Sequence, residues 1–459
     1  MPEPPAELPD RVDLLVLGSG SAASKVATSV AETGERVLLI ENRDFGGTCA
    51  LRGCNPKKVM TRAAGLVDYA QRMRGRYLSE SVDISLDWEA MRAFQQTFTE
   101  PIPSEKTESL HEAGVQTVRE EPRLTGPNSV TLGGRTVRFD RLVIGTGAKP
   151  REPDFPGAEH AITSDDFLTL DRPPQSIVFL GGGYISSEFA HVAHVAGSSV
   201  SIVERGPQIL DPFDADLVAA LEANSRSRGM AIYTQSEVRA IERGEQGHTV
   251  TIESERGGQT LQAECVVQAL GRVPAIDTLD LEAADIAFGE RGICVDRQCR
   301  STSQRHVWAV GDCADHGQPM LTPTANETGR AVARQLTGDE SATPDFGPIP
   351  FAAFTLPPIA GVGLSEPAAR DKYGDDLTLN SGEMTDWTTF RKLGAEAAYY
   401  KTLVQTSTGK LVGAHLLGPD APELINLFAL ALKFGLTRRD LKSVLFTYPT
   451  LSHEVRAMV

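Results

Sequence analysis

An α/β fold built of two similar strand–turn–helix–strand units and a closing α+β segment is what this chain of 459 residues predicts, on three observations. The apolar run Val12 to Leu17 ends in the glycine turn Gly18-Ser19-Gly20-Ser21-Ala22-Ala23. A helical stretch to Glu32 then leads to a second apolar run, Arg36 to Ile40, closed by Glu41. The same order recurs in Ser176 to Leu180, Gly181-Gly182-Gly183-Tyr184-Ile185-Ser186, a helix through Glu188 to Ala196, and the run Ser199 to Val203 closed by Glu204. After the proline-rich stretch Pro344 to Pro358, the runs Tyr400 to Val404 and Lys410 to His415 alternate like strands. Leu424, Leu427, Phe428, Ala431 and Phe434 follow at helical spacing.

Each repeated unit reads as a Rossmann-like dinucleotide-binding element. The glycines let the backbone turn tightly at a helix N-terminus, whose free N–H groups suit a pyrophosphate, and the acid at the end of the next strand suits a ribose hydroxyl. Gly18, Gly20 and Glu41 are the candidate contacts of the first unit, and Gly181, Gly183 and Glu204 of the second. Ala23 and Ser186 stand where a third glycine is usual. Two units imply two dinucleotides. Glu204 favours an unphosphorylated ribose and Arg205 suits a 2′-phosphate, so NADH and NADPH both stay open. The runs Leu142 to Pro150 and Val307 to Asp312 each end in a glycine-containing turn. An acid such as Asp312 at a strand's carboxyl end is well placed for a ligand polyol, and an ordinary helix cap is the alternative.

Between the first unit and the rest lies Gly46-Gly47-Thr48-Cys49-Ala50-Leu51-Arg52-Gly53-Cys54-Asn55-Pro56-Lys57-Lys58. A disulfide needs Cα atoms about 4.4–6.8 Å apart, whereas five residues of helix rise about 7.5 Å and five of strand about 16 Å. The segment must be irregular, with Gly53 supplying the backbone freedom and Pro56 suited to a helix start. A thiol at a helix N-terminus near Lys57 and Lys58 sits in a field that favours thiolate, which marks Cys49 and Cys54 as a redox-active pair. A static disulfide or half of a zinc site is the plain alternative, and no second pair with zinc-ligand spacing follows. Cys294 and Cys299 have the same spacing but read as a strand running into a turn, facing opposite ways. Cys265 and Cys313 read as small buried side chains.

Composition narrows the class. The length suggests several domains. With 61 acidic against 45 basic residues, the net charge of −16 argues against nucleic acid and against anionic membrane surfaces. Six cysteines do not make a disulfide-stapled secreted protein, and neither a signal peptide nor a membrane-spanning run is read. The expectation is a cytoplasmic protein, without membrane or nucleic-acid partners, whose first ten residues form a disordered tail.

Taken in order, these segments resemble the class I pyridine nucleotide-disulfide oxidoreductases, the flavoenzyme group of glutathione reductase, dihydrolipoamide dehydrogenase and mercuric reductase. The resemblance implies FAD and NAD(P)H as cofactors, a homodimer, and a dimerisation domain as the α+β segment. It implies FAD held by Gly18, Gly20, Glu41 and Asp312, and the nicotinamide dinucleotide held by Gly181, Gly183 and Glu204, with Tyr184 as an aromatic gate. The implied dinucleotide contacts also take in Gly47, Thr48, Thr146, Gly147, Arg205 and Gly271. Cys49 would be the thiol that attacks a substrate disulfide and Cys54 the thiol beside the flavin, with Lys58 near flavin N5 and paired with Glu188. An unpaired buried ammonium would cost too much. Implied boundaries are 11–150 with 273–340 for FAD, 151–272 for NAD(P)H and 345–459 for the interface.

The departures matter as much. Leu51, Arg52 and Lys57 replace an asparagine, a small apolar residue and a serine, making the pocket more basic than usual. Tyr448-Pro449-Thr450-Leu451-Ser452-His453-Glu454 stands where the group has His-Pro-Thr followed by a glutamate. Tyr448 occupies the position of the acid–base histidine and His453 that of the glutamate. A phenol, with an ordinary pKa near 10, is a poor base at neutral pH and an imidazole ordinarily titrates near neutrality, so Tyr448 as a donor and His453 as a base are both candidates for the proton step. The chain ends at Val459 without the added C-terminal cysteines of mercuric reductases, and the missing histidine weighs against a dihydrolipoamide dehydrogenase. The expectation is a disulfide reductase for a small thiol disulfide, glutathione reductase-like. The alternatives are a flavin-dependent reductase of a quinone or metal ion, a dihydrolipoamide dehydrogenase-like enzyme, or a redox-sensing flavoprotein.

Overall fold

The computed structural model describes residues 8–245 and 247–459 and divides into two compact units. One takes the chain as far as Pro56, then Phe94–Arg151 and Arg272–Phe346. The other takes Lys57–Ala93, Glu152–Gly271 and Gly347–Val459.

In the first unit, Val115–Arg119, Val37–Glu41, Arg11–Leu17, Arg135–Ile144 and Val307–Ala309 form a parallel sheet in that order, and Ser129–Leu132 and Arg123–Gly126 extend it antiparallel from one side. The central strands read as nearly continuous apolar runs because helices or loops cover both of their faces. Leu15, in register with Leu38 and Leu142, faces Phe139, Ile293 and Val307, whereas Leu14 and Val16 face Val26, Val30 and Val332. The helix Ser21–Ala31 leaves the first strand through the glycine turn. Gly18 has φ +97°, and a Cβ there would meet Gly145 O at 2.4 Å, so only glycine fits.

Much of the expected tail, residues 1–7, lies outside the described residues. Residues 8–10 are placed rather than free: Arg135 Nη2 donates to Leu8 O at 2.9 Å, and Arg138 N donates to Asp10 O at 2.9 Å.

In the second unit, Ala231–Tyr233, Ser199–Val203, Ser176–Leu180 and Cys265–Gln268 make a parallel four-stranded sheet. A three-stranded antiparallel sheet, Ser236–Gly244, Gly247–Ser254 and Gly257–Ala263, adjoins it in sequence. The C-terminal segment forms a five-stranded antiparallel sheet ordered Phe351–Ala353, Ile359–Gly363, Leu411–Leu417, Tyr399–Gln405 and Leu377–Glu383. One core joins these parts: Phe167, Phe179 and Phe189 pack with Met60, Trp88, Ala353 and Leu417. That packing places residues 57–93, grouped by the sequence reading with 11–150, in the second unit. On the helix Ala421–Lys433 the expected apolar stripe is only partly core: Leu424, Phe428 and Ala431 are buried, but Phe434 just beyond its end is 71% exposed.

Candidate active site

Two helix N-termini carry the glycine turns, and both are built alike. Gly20 caps Ser21–Ala31 and Gly183 caps Tyr184–Val195, and neither glycine offers a side-chain acceptor to the first N–H groups of its helix. A Cβ on Gly20, Gly147, Gly183 or Gly271 would meet nothing within 4 Å. Bare helix starts edged by open glycine backbone are what a dinucleotide diphosphate fits.

The acids at the strand ends are also used alike. Glu41 Oε2 accepts from Ser19 N at 3.0 Å and Ser19 Oγ at 2.7 Å, while Oε1 accepts from Arg43 N at 3.0 Å. Glu204 Oε2 accepts from Gly182 N and Oε1 from Gly206 N, both at 2.6 Å. Each carboxylate therefore braces the middle N–H of its own glycine turn. Arg205 beside Glu204 is exposed.

Ser19 also ties the turn to the thiol segment. Its hydroxyl accepts from Gly46 N at 3.0 Å, and Gly47 lies so close to Gly20 that a Cβ on Gly47 would meet Gly20 Cα at 2.6 Å. From there a short helix, Gly47–Leu51, carries Thr48 and Cys49. Arg52 and Gly53 break it, and Cys54 opens the long helix Cys54–Arg72. Gly53 needs its missing side chain, not an unusual φ: a Cβ would meet Thr48 O at 2.8 Å and Cys49 Cα at 3.3 Å.

Cys49 is half-buried and Cys54 exposed, two thiols within hydrogen-bond reach of each other. Thr322 Oγ1 donates to Cys49 Sγ at 3.3 Å and lies 3.6 Å from Cys54 Sγ. Asp312 follows the strand Val307–Ala309, and burial holds its carboxyl above the usual range against the opposing pull of Arg272.

In the second unit Glu188 is buried, and its Oε2 lies 2.5 Å from Lys58 Nζ and 3.0 Å from Lys57 Nζ. Its Oε1 accepts from Phe354 N at 3.0 Å, and Lys58 Nζ stands 4.1 Å from the Phe354 ring centroid. Burial pushes the Glu188 carboxyl up, but the two ammonium groups and the Phe354 N–H reverse this and hold it below the usual range. Tyr184 packs edge-on against Phe213, and burial raises its phenol.

Residues 12–329 match the model of the pyridine nucleotide-disulphide oxidoreductase family, and residues 349–459 match that family's dimerisation domain. The chain belongs to the pyridine nucleotide-disulphide oxidoreductases. It is 33% identical to a glutathione reductase of Burkholderia cepacia, over 96% of this chain and 97% of the relative. It is 28% identical to a mercuric reductase of Staphylococcus aureus, over 97% and 81%. A solved structure of the HOCl-induced flavoprotein disulfide reductase RclA from Escherichia coli, a cysteine-to-serine mutant in its Cu(II) complex, superposes with a TM-score of 0.86 at 26% identity, covering 98% of this chain and 99% of the other.

As a member of this family the protein is an NAD(P)H-dependent flavoprotein disulfide reductase that uses FAD, and its dimerisation domain fits a homodimer. Among the described residues no helix is long and apolar enough to cross a membrane.

The expectations for Cys49 and Cys265 need correction, and the remaining candidates can be placed. The field favouring thiolate does not prevail at Cys49: the hydrogen bond with Cys54 and burial push its thiol up, Thr322 alone among side chains opposing them. Lys57 and Lys58, expected to supply that field, are both engaged by Glu188, and Lys57 is also one of the residues expected to make the pocket basic. Cys265 is half-buried rather than buried. Cys299 is buried at φ +61°, a turn conformation, and its thiol is pushed up to about 12 by burial. Tyr448 is 71% exposed, its ring 5.1 Å from that of His453, and the His453 N–H is taken by Thr450 in the helix cap. Glu454 Oε1 accepts from Thr389 Oγ1 at 2.7 Å.

Sequence reasoning passed over Ser19 and Thr322. Ser19 was hidden inside the glycine turn it braces. Thr322, followed by Pro323 at a helix start, reads as an ordinary capping pattern, and only coordinates turn its hydroxyl to the sulfurs.

Proposed function

We propose that the enzyme reduces a low-molecular-weight thiol disulfide of the glutathione class, in the cytoplasm, through Cys49 and Cys54. The observation that carries this reading is the pair of thiols in reach of each other and of one hydroxyl, that of Thr322. Thiolate at Cys49 attacks one substrate sulfur, and the other leaves with its electron pair and takes a proton. Cys54 then attacks Cys49, freeing the second thiol and closing the Cys49–Cys54 disulfide. Bound FAD supplies the two-electron path by which NAD(P)H reopens it.

In this reading residues 11–150 and 273–340 hold FAD, with Gly18, Gly20, Gly47, Thr48, Thr146 and Gly147 shaping its cradle, Glu41 for the ribose and Asp312 for the polyol. Residues 151–272 hold NAD(P)H through Gly181, Gly183, Glu204, Arg205 and Gly271, with Tyr184 covering the pocket, and 345–459 form the interface. Lys58, paired with Glu188 and one helical turn from Cys54, would balance negative charge on the reduced ring. His453 is the base and Tyr448 a donor for the leaving thiol.

A second reading, electron delivery to a metal ion, is favoured by one observation: a tyrosine stands where a thiol-releasing enzyme of this kind has its histidine. Steady-state rates with glutathione disulfide, related disulfides, lipoamide, Cu(II) and a quinone, each with NADH and NADPH, separate the two. Cys49→Ser abolishes disulfide reduction under the first reading. A disulfide rate that survives Cys49→Ser sinks it. Long-wavelength thiolate-to-flavin absorbance on adding stoichiometric NAD(P)H supports it.

A further inference from the structure

Disulfide exchange leaves negative charge on one sulfur of the pair at each half of the turnover, and that charge needs a donor. The lysine ammonium groups next along the chain are engaged by Glu188. The side-chain donor set against both sulfurs is the hydroxyl of Thr322, 3.3 Å from Cys49 Sγ and 3.6 Å from Cys54 Sγ.

Its position is rigid. Thr322 is the first residue of the helix Thr322–Leu336, whose N-cap is Leu321 and which has no side-chain cap, so the hydroxyl is not used in capping. That helix is locked against Ser21–Ala31: a Cβ on Gly329 would meet Ala22 Cα at 2.7 Å, leaving no play between the two backbones. A β-branched side chain at such a site has few rotamers, and the hydroxyl hydrogen alone stays free to turn.

We propose that Thr322 is a catalytic residue of the exchange, the shared donor that stabilises negative charge on Cys49 or Cys54, whichever carries it. It has one hydrogen, so it serves one sulfur at a time and follows the charge as the mixed disulfide forms and resolves. The shorter approach to Cys49 makes that sulfur the better-stabilised nucleophile. The neighbouring Cys54 thiol and burial work against ionisation of Cys49, so the Thr322 hydroxyl matters there alongside the Cys54 backbone N–H.

The inference rests on Cys49 and Cys54 being the redox pair. Its test is a thiol titration, read without turnover: the dithiothreitol-reduced holoenzyme is pulsed with iodoacetamide across pH, and alkylation of each cysteine is followed by peptide mass spectrometry. Thr322→Val and Thr322→Ala remove the donor, with and without the methyl groups, and Thr322→Ser keeps it. In both donor-less variants the alkylation midpoint of Cys49 moves up by about one pH unit or more, as loss of a hydrogen bond to a charged group requires. Thr322→Ser stays near wild type. A common midpoint in wild type, Thr322→Ser and either donor-less variant overturns the proposal. A disulfide rate unaffected by Cys49→Ser overturns the underlying reading instead, so the two failures are told apart.

Discussion

Glu188 Oε2 lies 2.5 Å from Lys58 Nζ, a contact between a buried carboxylate and the second lysine of a pair that both reach it. Two cations on one anion make that anion hard to replace. Removing Glu188 leaves two partly buried ammonium groups facing each other. Glu188→Gln is expected to cost about 2–3 kcal/mol, the low end for a broken buried pair because Lys58 is partly exposed. Lys57→Met, which leaves the Lys58 pair intact, should cost far less. Urea unfolding followed by fluorescence measures both, and equal losses would show that Lys58 gains nothing special from Glu188.

Gly53 stands between the two cysteine-bearing helices with no room for a methyl group. Thr48 O and Cys49 Cα are backbone atoms, so Gly53→Ala must move the Cys49 helix relative to Cys54. Geometry for a disulfide is narrow, and displacements well under an ångström already strain it. The expected outcome is at least a tenfold fall in disulfide reductase kcat, on the order of the loss that about 1.4 kcal/mol of misplacement produces. Thiol counting after mild oxidation should find the pair slower to close. Wild-type closure in Gly53→Ala would refute the steric reading.

Lys401 is buried among three carboxylates, Asp214 at 2.9 Å, Asp216 at 2.6 Å and Glu366 at 2.8 Å, joining the start of the helix Ala215–Ser227 to the C-terminal sheet. The hydrogen bond from Lys401, aided by Arg370, holds the Glu366 carboxyl below its usual value of 4.5. A depressed carboxyl stabilises the fold fully above its unfolded value and loses that contribution as pH falls through the lower folded one. Glu366→Gln should therefore melt below wild type at pH 7, and the gap should close progressively as pH drops from about 4.5. A gap that persists unchanged at the acid end would contradict the ion-pair account.

Glu204 is held by two backbone N–H groups with its charge at the mouth of the second glycine turn. A ribose hydroxyl can donate to such a carboxylate, whereas a 2′-phosphate is repelled by it. Arg205 is the counterweight, but it is exposed, and Glu237, Glu253 and Glu255 outnumber Arg205 and Arg239 around the adjoining hollow. NADH should give the higher kcat/KM, and Glu204→Ser should shift the ratio toward NADPH by about tenfold, the worth of one charge-assisted hydrogen bond. A wild-type preference for NADPH would reverse this assignment.

The glycine turns were legible because each needs a residue type that nothing else satisfies: Gly18 and Gly181 have positive φ and touch backbone, so the pattern survives in the sequence. The thiol pair was legible because spacing and flanking residues restrict it. The ionisation of Cys49 was not, since burial and the orientation of Lys57 and Lys58 depend on where Glu188 arrives from far along the chain. Ser19 and Thr322 were missed for the same reason. A hydroxyl has no periodicity, and its partner is set by packing.

By itself the sequence determined the two strand–turn–helix units, the closing α+β segment and the candidate thiols, all of which depend on local backbone chemistry and hydrophobic period. Only the tertiary structure decided which groups meet: that both lysines reach Glu188, that Glu41 and Glu204 brace their own turns, and that one threonine hydroxyl lies beside two sulfurs. Electrostatic and hydrogen-bonding partners are chosen by distance in space, and distance in space between residues far apart in the chain is fixed only when the cores close.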